Sequence, residues 1–519
     1  MVTDELPPLI RALLDPRLYP GAVQRVELLQ THGAWVLLAG DAAYKIKKPV
    51  RLSFMDFSTL ALRRVACEAE LRVNARYAPT PPQPPIYRAV LPIIGTPAAP
   101  RWGQPGSDDA QAIEFGVQMR RFDEAARLDH LCERGALQPE HLVQLGQRLA
   151  AWQAQAAVAP ADAPWGQPAT VWAVVQDNLQ ALQALLAPGE DRTLAQSLAD
   201  WTRAQWPTVS AALAERRQQG RVREGHGDLH LANLVLLGGE VLPFDAIEFN
   251  EALRWVDVAS DLAFTWMDLQ RLGQPGLAHT LLSAWLDASG DVGAPQVLPF
   301  FAVYLAAVRA KVAAIRHAQL PDTAQAERGA VQIELRAYLQ LALRLAKPGA
   351  PQLIINHGLS GSGKSFEAAR WLAAHAGSRA LRLRSDVERK RLHGLAALQA
   401  SDPAARDRFY GQEASAQTYA SLRERARELL QAGWTVLVDA AFLRRTERQA
   451  FAALARELAC PFAILAPEAP VAVLRERIAA RQAAGSDPSE ATLAVLAQQL
   501  GWIEPLGADE PRLPWPPAQ

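Results

Sequence analysis

The sequence predicts two folded modules of different class on one chain. The first is a two-lobed α+β module; the second is a three-layer α/β/α sandwich on a parallel sheet. Three observations predict this. Strand-like segments dominate to about residue 120. An alanine- and leucine-rich helical pattern then runs from about 123 to 345. Beyond Lys347-Pro-Gly-Ala-Pro351, four short apolar segments alternate with helical ones, the arrangement that gives parallel strands with crossover helices. At 519 residues the chain is too long for one ordinary domain. The expected division is 1–122 for a strand-rich lobe, 123–346 for a helical lobe, 347–352 for a linker and 353–519 for the sandwich.

In order along the chain, Ala34–Ala39 runs apolar and Ala43–Lys47 alternates, with the hairpin signal Gly40-Asp41 between them. A helix is expected from about Phe57 to Tyr77. Pro79 to Pro85 reads as a proline-rich connection and Pro97 to Pro105 as a polar loop. Gly116–Met119 is a further strand. Only Leu234–Leu237 and Val241–Phe244 interrupt the helical region. Strands are expected at 353–356, 380–384, 434–438 and 461–465, and the Pro514-Trp-Pro-Pro517 tail is expected to be irregular. No internal repeat is present.

Composition is that of a globular protein, half apolar and about a fifth charged. The net charge is zero, which argues against bulk binding to nucleic acid or anionic membrane, since neutralising phosphates needs a basic excess. Cys67, Cys132 and Cys460 lie far apart without metal-ligand spacing. They read as small apolar residues in a reducing compartment. No secretory signal opens the chain and no uninterrupted apolar run reaches membrane-spanning length. A soluble cytoplasmic protein is expected; its oligomeric state is not written in the sequence.

Residues 226–233 read His-Gly-Asp-Leu-His-Leu-Ala-Asn, followed by Phe244-Asp245. Phosphoryl transfer depends on positioning and charge neutralisation. It needs a carboxylate near the acceptor hydroxyl and an amide or carboxylate for metal. Asp228 precedes Asn233 by five positions, the catalytic-loop spacing of kinases. Asp245 follows twelve residues later, where a hairpin would return a second metal-binding carboxylate. His226 is expected to hold the loop by hydrogen bonding. A cation for the phosphates should lie upstream on a strand. Lys45 and Lys47 share one strand face, with Lys45 favoured because Lys48-Pro49 ends the strand. Glu68 and Glu70 are the candidate ion-pair partners, and spacing to Pro79 favours Glu68.

Most of residues 25–320 resembles the aminoglycoside phosphotransferase family, within the protein-kinase-like fold. The resemblance implies that Asp228 is the catalytic base and that Asn233 and Asp245 hold magnesium. It implies a structural role for Asp261, in an Asp-Leu-Ala context, beneath the catalytic loop. It places Met119–Phe122 near the hinge against which adenine packs. No glycine-rich loop is evident, since only Gly33 precedes Trp35, and Asp245-Ala-Ile replaces the Asp-Phe-Gly of protein kinases. Nothing identifies an aminoglycoside pocket, so the acceptor stays a hydroxyl of a small molecule.

Gly358, Leu359, Ser360, Gly361, Ser362, Gly363, Lys364 and Ser365 spell a full phosphate-binding loop of the Walker A type. It follows the apolar run Leu353-Ile354-Ile355 and opens a helix-compatible stretch, the context the motif requires. Glycines let backbone N–H groups converge on phosphate oxygens. Lys364 would reach the β- and γ-phosphates of ATP, and Ser365 would ligate Mg2+. Asp386 and Arg389, three apart beyond the strand Leu381–Ser385, could accept a hydroxyl proton and clamp a phosphate. Val436-Leu-Val-Asp439 ends in a carboxylate placed to act on magnesium. Arg475, Arg477 and Arg481 lie on a helical stretch before Gly485–Pro488; Arg477 and Arg481 share a face and could form a lid on ATP.

Residues 350 to about 505 resemble small P-loop kinases of the gluconate kinase, zeta-toxin and polynucleotide-kinase group. The Asp386/Arg389 pair is similar to the acceptor-activating pair of the polynucleotide 5′-kinase branch. The tandem arrangement resembles bifunctional aminoglycoside phosphotransferase/ATP-binding proteins. The expectation is an ATP-dependent phosphotransferase with two magnesium–ATP sites. Two other readings stay open. One module could be a nucleotide-sensing switch that gates the other. Alternatively, the second module could be a 5′-kinase for nucleic acid, with Arg382, Arg384, Arg389, Lys390 and Arg391 on its phosphates; the neutral net charge argues against it.

Overall fold

The computed structural model describes residues 6–52, 55–375, 379–397, 399, 411–484 and 491–513. The proline-rich tail and Gly485–Pro488 lie outside the described residues. Contacts divide the chain into two compact units. The first comprises Met1–Leu137, Gln155–Thr170 and Arg217–Thr265; the second comprises Gln138–Ala154, Val171–Arg216 and Trp266–Gln519.

The first unit is built on a six-stranded antiparallel sheet. Its spatial order is Val26–Gln30, Ala34–Ala39, Ala42–Lys47, Glu114–Arg120, Tyr87–Thr96 and Ala99–Trp102. Alternation sends successive side chains to opposite faces. Tyr44 and Ile46 join Ile10, Leu13, Leu37 and Ile93 in one core. Ala43 lies on the other face, in a core with Cys67, Val117, Met119, Val235 and Leu242. The hairpin Leu234–Leu237/Glu240–Pro243 supplies the last two.

The helix Leu60–Ala75 starts at Thr59, whose hydroxyl accepts from Leu62 N–H, an N-cap. It buries Arg63, Ala66, Cys67, Glu70, Val73 and Asn74, a stripe at helical spacing. Glu70 therefore faces inward. All three cysteines are free thiols.

Two expectations are corrected. The stretch 97–105 holds the strand Ala99–Trp102, hairpinned to Tyr87–Thr96; Pro100 is tolerated because this strand is at the sheet edge. The helical region also contains the antiparallel pair Val222–Glu224 and Trp255–Asp257. Strands of three residues are too short to show a period.

In the second unit, the helices Pro275–Ser289, Ala294–Gln319 and Gln325–Ala346 precede a four-stranded parallel sheet. Its order is Ala380–Arg384, Thr435–Asp439, Leu353–Asn356 and Phe462–Leu465. The two inner strands are buried at every position, as strands covered on both faces must be. This register puts Arg384 opposite Asp439. The helix Ala294–Gln319 is, by length and composition, long and apolar enough to cross a membrane, although Arg309 and Lys311 interrupt its apolar run. Of its apolar window, 67% is buried, so that apolarity serves the core.

Candidate active sites

In the first unit, two lysines from one strand face meet one carboxylate. Lys45 Nζ lies 2.8 Å from Glu70 Oε1 and is also paired with Asp245. Lys47 is paired with Glu70 Oε2 and with Glu248. Lys47 and Glu70 are enclosed, whereas Lys45 keeps slight exposure and Asp245 is half exposed. Lys45 is thus the lysine of the two that reaches Asp245.

The preference for Glu68 over Glu70 is corrected: Glu68 is exposed and pairs with Arg64. Residues two apart on a helix point to different sides, so only one of these glutamates can face the sheet. Distance to Pro79 carries no information about which.

Two ammonium groups stand among three carboxylates here. Burial alone would lower the Lys45 pKa, but Asp245, Glu70 and Glu248 outweigh it and hold the group well above its usual range. Burial would likewise raise Asp245, but Lys45 brings it down to about 2. Burial raises Glu248 despite the attraction of Lys47.

Asp245 takes φ +62, a left-handed backbone costly for a non-glycine residue. The turn is held from outside. Asp245 N–H donates to Tyr87 Oη at 2.9 Å, and Ala246 N–H donates to Asn74 Oδ1 at 3.0 Å. Asn74 and Glu70 lie four apart on one helix face, so the same helix orients both the lysine and the Asp245 turn.

The loop 226–233 is anchored by Asp261, which accepts from His226 N–H at 2.7 Å and from Gly227 N–H at 2.9 Å. Gly227 has φ +83, and a Cβ there would lie 2.5 Å from Leu253 O, so only glycine fits. Asp228 N–H donates to His226 Nδ1 at 3.3 Å, while Nε2 lies 2.9 Å from Phe244 O. Nδ1 is therefore the acceptor and Nε2 carries the proton. Burial keeps this imidazole neutral, lowering its pKa against the pull of Asp261.

Asn233 Nδ2 donates to Asp228 O at 2.9 Å and to Asp228 Oδ2 at 3.2 Å. The Asp228 carboxylate is oriented yet partly exposed. A cavity of about 500 Å3 is lined by Leu29, Leu38 and Phe122 together with the charged Glu27, Asp41, Arg121, Asp123 and Glu124. Phe122 meets Phe244 edge-on at 4.9 Å. The strands Val26–Gln30 and Ala34–Ala39 are joined by the tight turn Thr31–Gly33, so no glycine-rich loop stands there.

In the second unit, the loop between Leu353–Asn356 and the helix Lys364–Ala374 has Gly358, Gly361 and Gly363 at φ +146, +82 and +93. Lys364 Nζ donates to Leu359 O at 2.7 Å. At the carboxyl end of the sheet, Lys364, Ser365, Asp386, Arg389, Asp439 and Arg477 all line one cavity of about 580 Å3. Arg389 Nη1 donates to Asp386 Oδ1 at 2.9 Å, and Arg477 Nη1 donates to Gly361 O at 3.3 Å.

Asp439 Oδ1 accepts from Asn356 Nδ2 at 2.8 Å. Its Oδ2 is buried without a hydrogen bond, 4.0 Å from Arg382. A carboxylate oxygen with no hydrogen bond and only a long ion pair, in the same cavity as Ser365, suits a hard, oxygen-seeking cation. The side chain of Arg481 lies outside the described residues.

The basic run does not form one face. Arg384 lines the cavity, Lys390 donates to Ala397 O, and Arg391 pairs with Glu388 and donates to Asp287 O. Asn74, Tyr87 and Glu248 in the first unit, and Tyr419, Arg444, Glu447, Gln499 and Trp502 in the second, escaped the sequence reading. Only Asn74, one turn after Glu70, and Glu248, three after Asp245, carried a local signal.

Residues 47–300 match the model of the phosphotransferase enzyme family, and residues 353–506 match an AAA domain model. Over 483 residues, 92% of this chain and 91% of theirs, the chain is 28% identical to uncharacterized proteins of Mycobacterium tuberculosis and Mycobacterium bovis. Among solved structures, amicoumacin kinase in complex with AMP-PNP aligns at 14% identity over 64% of this chain and 93% of that chain, with a TM-score of 0.40. An aminoglycoside phosphotransferase from Alicyclobacillus acidocaldarius aligns at 15% identity over 64% and 94%, with a TM-score of 0.33. The chain is a phosphotransferase in which residues 47–300 form a phosphotransferase enzyme family domain and residues 353–506 an AAA domain built on a parallel α/β sheet.

Proposed function

We propose that both domains use ATP and magnesium, and that the first transfers the γ-phosphate to a hydroxyl of a small molecule in the cytoplasm. The observation that carries this reading is the convergence of Lys45, Glu70 and Asp245 from three distant segments, with Asp245 tied through Phe244 and His226 to the Asp228 loop. A lysine held by a buried glutamate serves as a phosphate clamp. Asp228 accepts the acceptor proton as the hydroxyl oxygen bonds to the γ-phosphorus and the bond to the β-phosphate oxygen breaks. Asn233 and Asp245 are the magnesium ligands. When bound, the metal neutralises phosphate charge. Leu29, Leu38 and Phe122 offer apolar contact to a nucleotide base in a cavity otherwise lined largely by charged side chains.

In the second domain, Lys364 and the loop N–H groups take the phosphates, with Ser365 and Asp439 as metal ligands and Arg477 above the loop. Asp386, with Arg389 beside it, takes the acceptor proton, so this domain acts as a second kinase. Transfer of γ-labelled phosphate into a fractionated small-molecule extract tests both roles. Asp228→Ala should abolish the first product while ATP still binds, and Lys364→Ala should abolish the second. Full transfer by Asp228→Ala would refute the base assignment.

A further inference from the structure

Two helices follow the last strand of the parallel sheet, and each places a side chain on the phosphate-binding loop. Arg477, on Val471–Ala484, reaches Gly361 O. Gln499, on Leu493–Trp502, accepts from Ser360 N–H at 2.8 Å through its Oε1. Ser360 follows Leu359, whose carbonyl holds the Lys364 ammonium at 2.7 Å. That ammonium is the group that reaches the terminal phosphates of a bound nucleotide. Gln499 is therefore anchored beside the terminal-phosphate end of the loop.

The anchor uses only the amide oxygen. Nε2 carries two N–H donors and has no protein partner among the described residues. Gln499 lines the cavity that also holds Lys364, Ser365 and Asp439. Its helix is set in place one turn earlier, where Leu496 is buried against Leu474 and Ile478. With the oxygen fixed on a backbone N–H and the helix fixed by packing, the direction of the NH2 group is preset. A donor held at this end of the loop is available to a γ-phosphate, a group that a diphosphate lacks.

We propose that Gln499 is the residue by which the P-loop domain distinguishes ATP from ADP, with Nε2 donating to the γ-phosphate. The proposal rests on reading this loop as an ATP site. It differs from a plain capping role, in which the side chain only satisfies Ser360 N–H and treats both nucleotides alike.

The test uses the full chain carrying Lys45→Ala, so that the first site does not dominate binding. AMP-PNP and ADP, each with magnesium, displace a fluorescent N-methylanthraniloyl-ADP. A hydrogen bond to a charged group predicts that Gln499→Ala weakens AMP-PNP roughly tenfold or more while ADP changes less than about twofold. Gln499→Glu, which sets a carboxylate against the γ-phosphate, should weaken AMP-PNP further and again leave ADP nearly unchanged. Equal loss of both nucleotides, or no change in either, overturns the proposal. Lys364→Ala in the same background separates the two claims. If the fluorescent nucleotide still binds to that variant, the loop is not its site. If binding is lost there but the AMP-PNP to ADP ratio is unmoved in Gln499→Ala, only the discrimination role falls.

Discussion

Glu224 shows how a single charge prepares the first site. It accepts from Arg72 Nη2 at 2.8 Å and from Arg254 Nε at 2.9 Å, at the end of the strand Val222–Glu224 and two residues before His226. Burial would raise its pKa, but those two hydrogen bonds outweigh it and bring the carboxyl down to about 2. A folded pKa below the unfolded one adds stability that is present above the ordinary value and is lost as pH falls through the folded value. Glu224→Gln should therefore cost on the order of 1–2 kcal/mol at pH 7, since solvent around the exposed Arg72 screens part of the pairing. The gap in Tm between variant and wild type should narrow as pH drops from about 4.5 toward 2. A gap that stays constant across that range would remove the charge argument. Lys45 teaches the complementary lesson at this scale. Both Lys45 and Lys47 pair with Glu70; the strand and the face of Lys45 are readable from alternation. Its carboxylate is not, because Glu68 and Glu70 differ only in which way the helix is turned.

Individual elements depend on a few contacts that bridge long stretches of chain. Arg448, on the helix Arg445–Glu457, is fully buried and binds Glu510 through Nε at 2.6 Å and Nη2 at 3.0 Å. It also donates to Phe442 O. Arg448→Ala strands a carboxylate and leaves carbonyls unpaired, so denaturant unfolding should show a loss of about 3–5 kcal/mol. In the loop 226–233, Gly227→Ala forces a Cβ onto Leu253 O and displaces Asp228. Strain of this kind costs about 1–3 kcal/mol. Phosphoryl transfer should fall at least about tenfold while ATP affinity stays within about twofold, a split read from kcat against the nucleotide Kd. Strands with clear alternation or a continuous apolar run were legible, among them Ala34–Ala39 and all four of the parallel sheet. Val26–Gln30 and Tyr87–Thr96 were not, although the second carries an apolar run of its own; nor were Ala99–Trp102 and the pair Val222–Glu224/Trp255–Asp257, since short strands form only when a partner is already in place.

For the molecule as a whole, the proposal of two nucleotide sites on one chain makes a stoichiometric prediction. Calorimetric titration with magnesium and AMP-PNP should give two bound nucleotides per wild-type chain. Lys45→Ala and Lys364→Ala should each reduce this to one. A single equivalent in the wild type would mean that one domain binds no nucleotide, and the variant that abolishes binding would identify the working site.

By itself the sequence determined the chemistry that lies within short windows. It set the Asp228-to-Asn233 spacing, the glycines that free the backbone of residues 358–365, the carboxylate at the end of Thr435–Asp439 and the alternation that gives Lys45 its face. These follow from dihedral freedom, side-chain type and period, all of which are local. The tertiary structure alone decided which distant groups meet. It chose Glu70 over Glu68, brought Glu248 to Lys47 and set Gln499 on Ser360. Those pairings cross tens to hundreds of residues. They depend on helix rotation and on how elements pack across a sheet, and no local propensity encodes either.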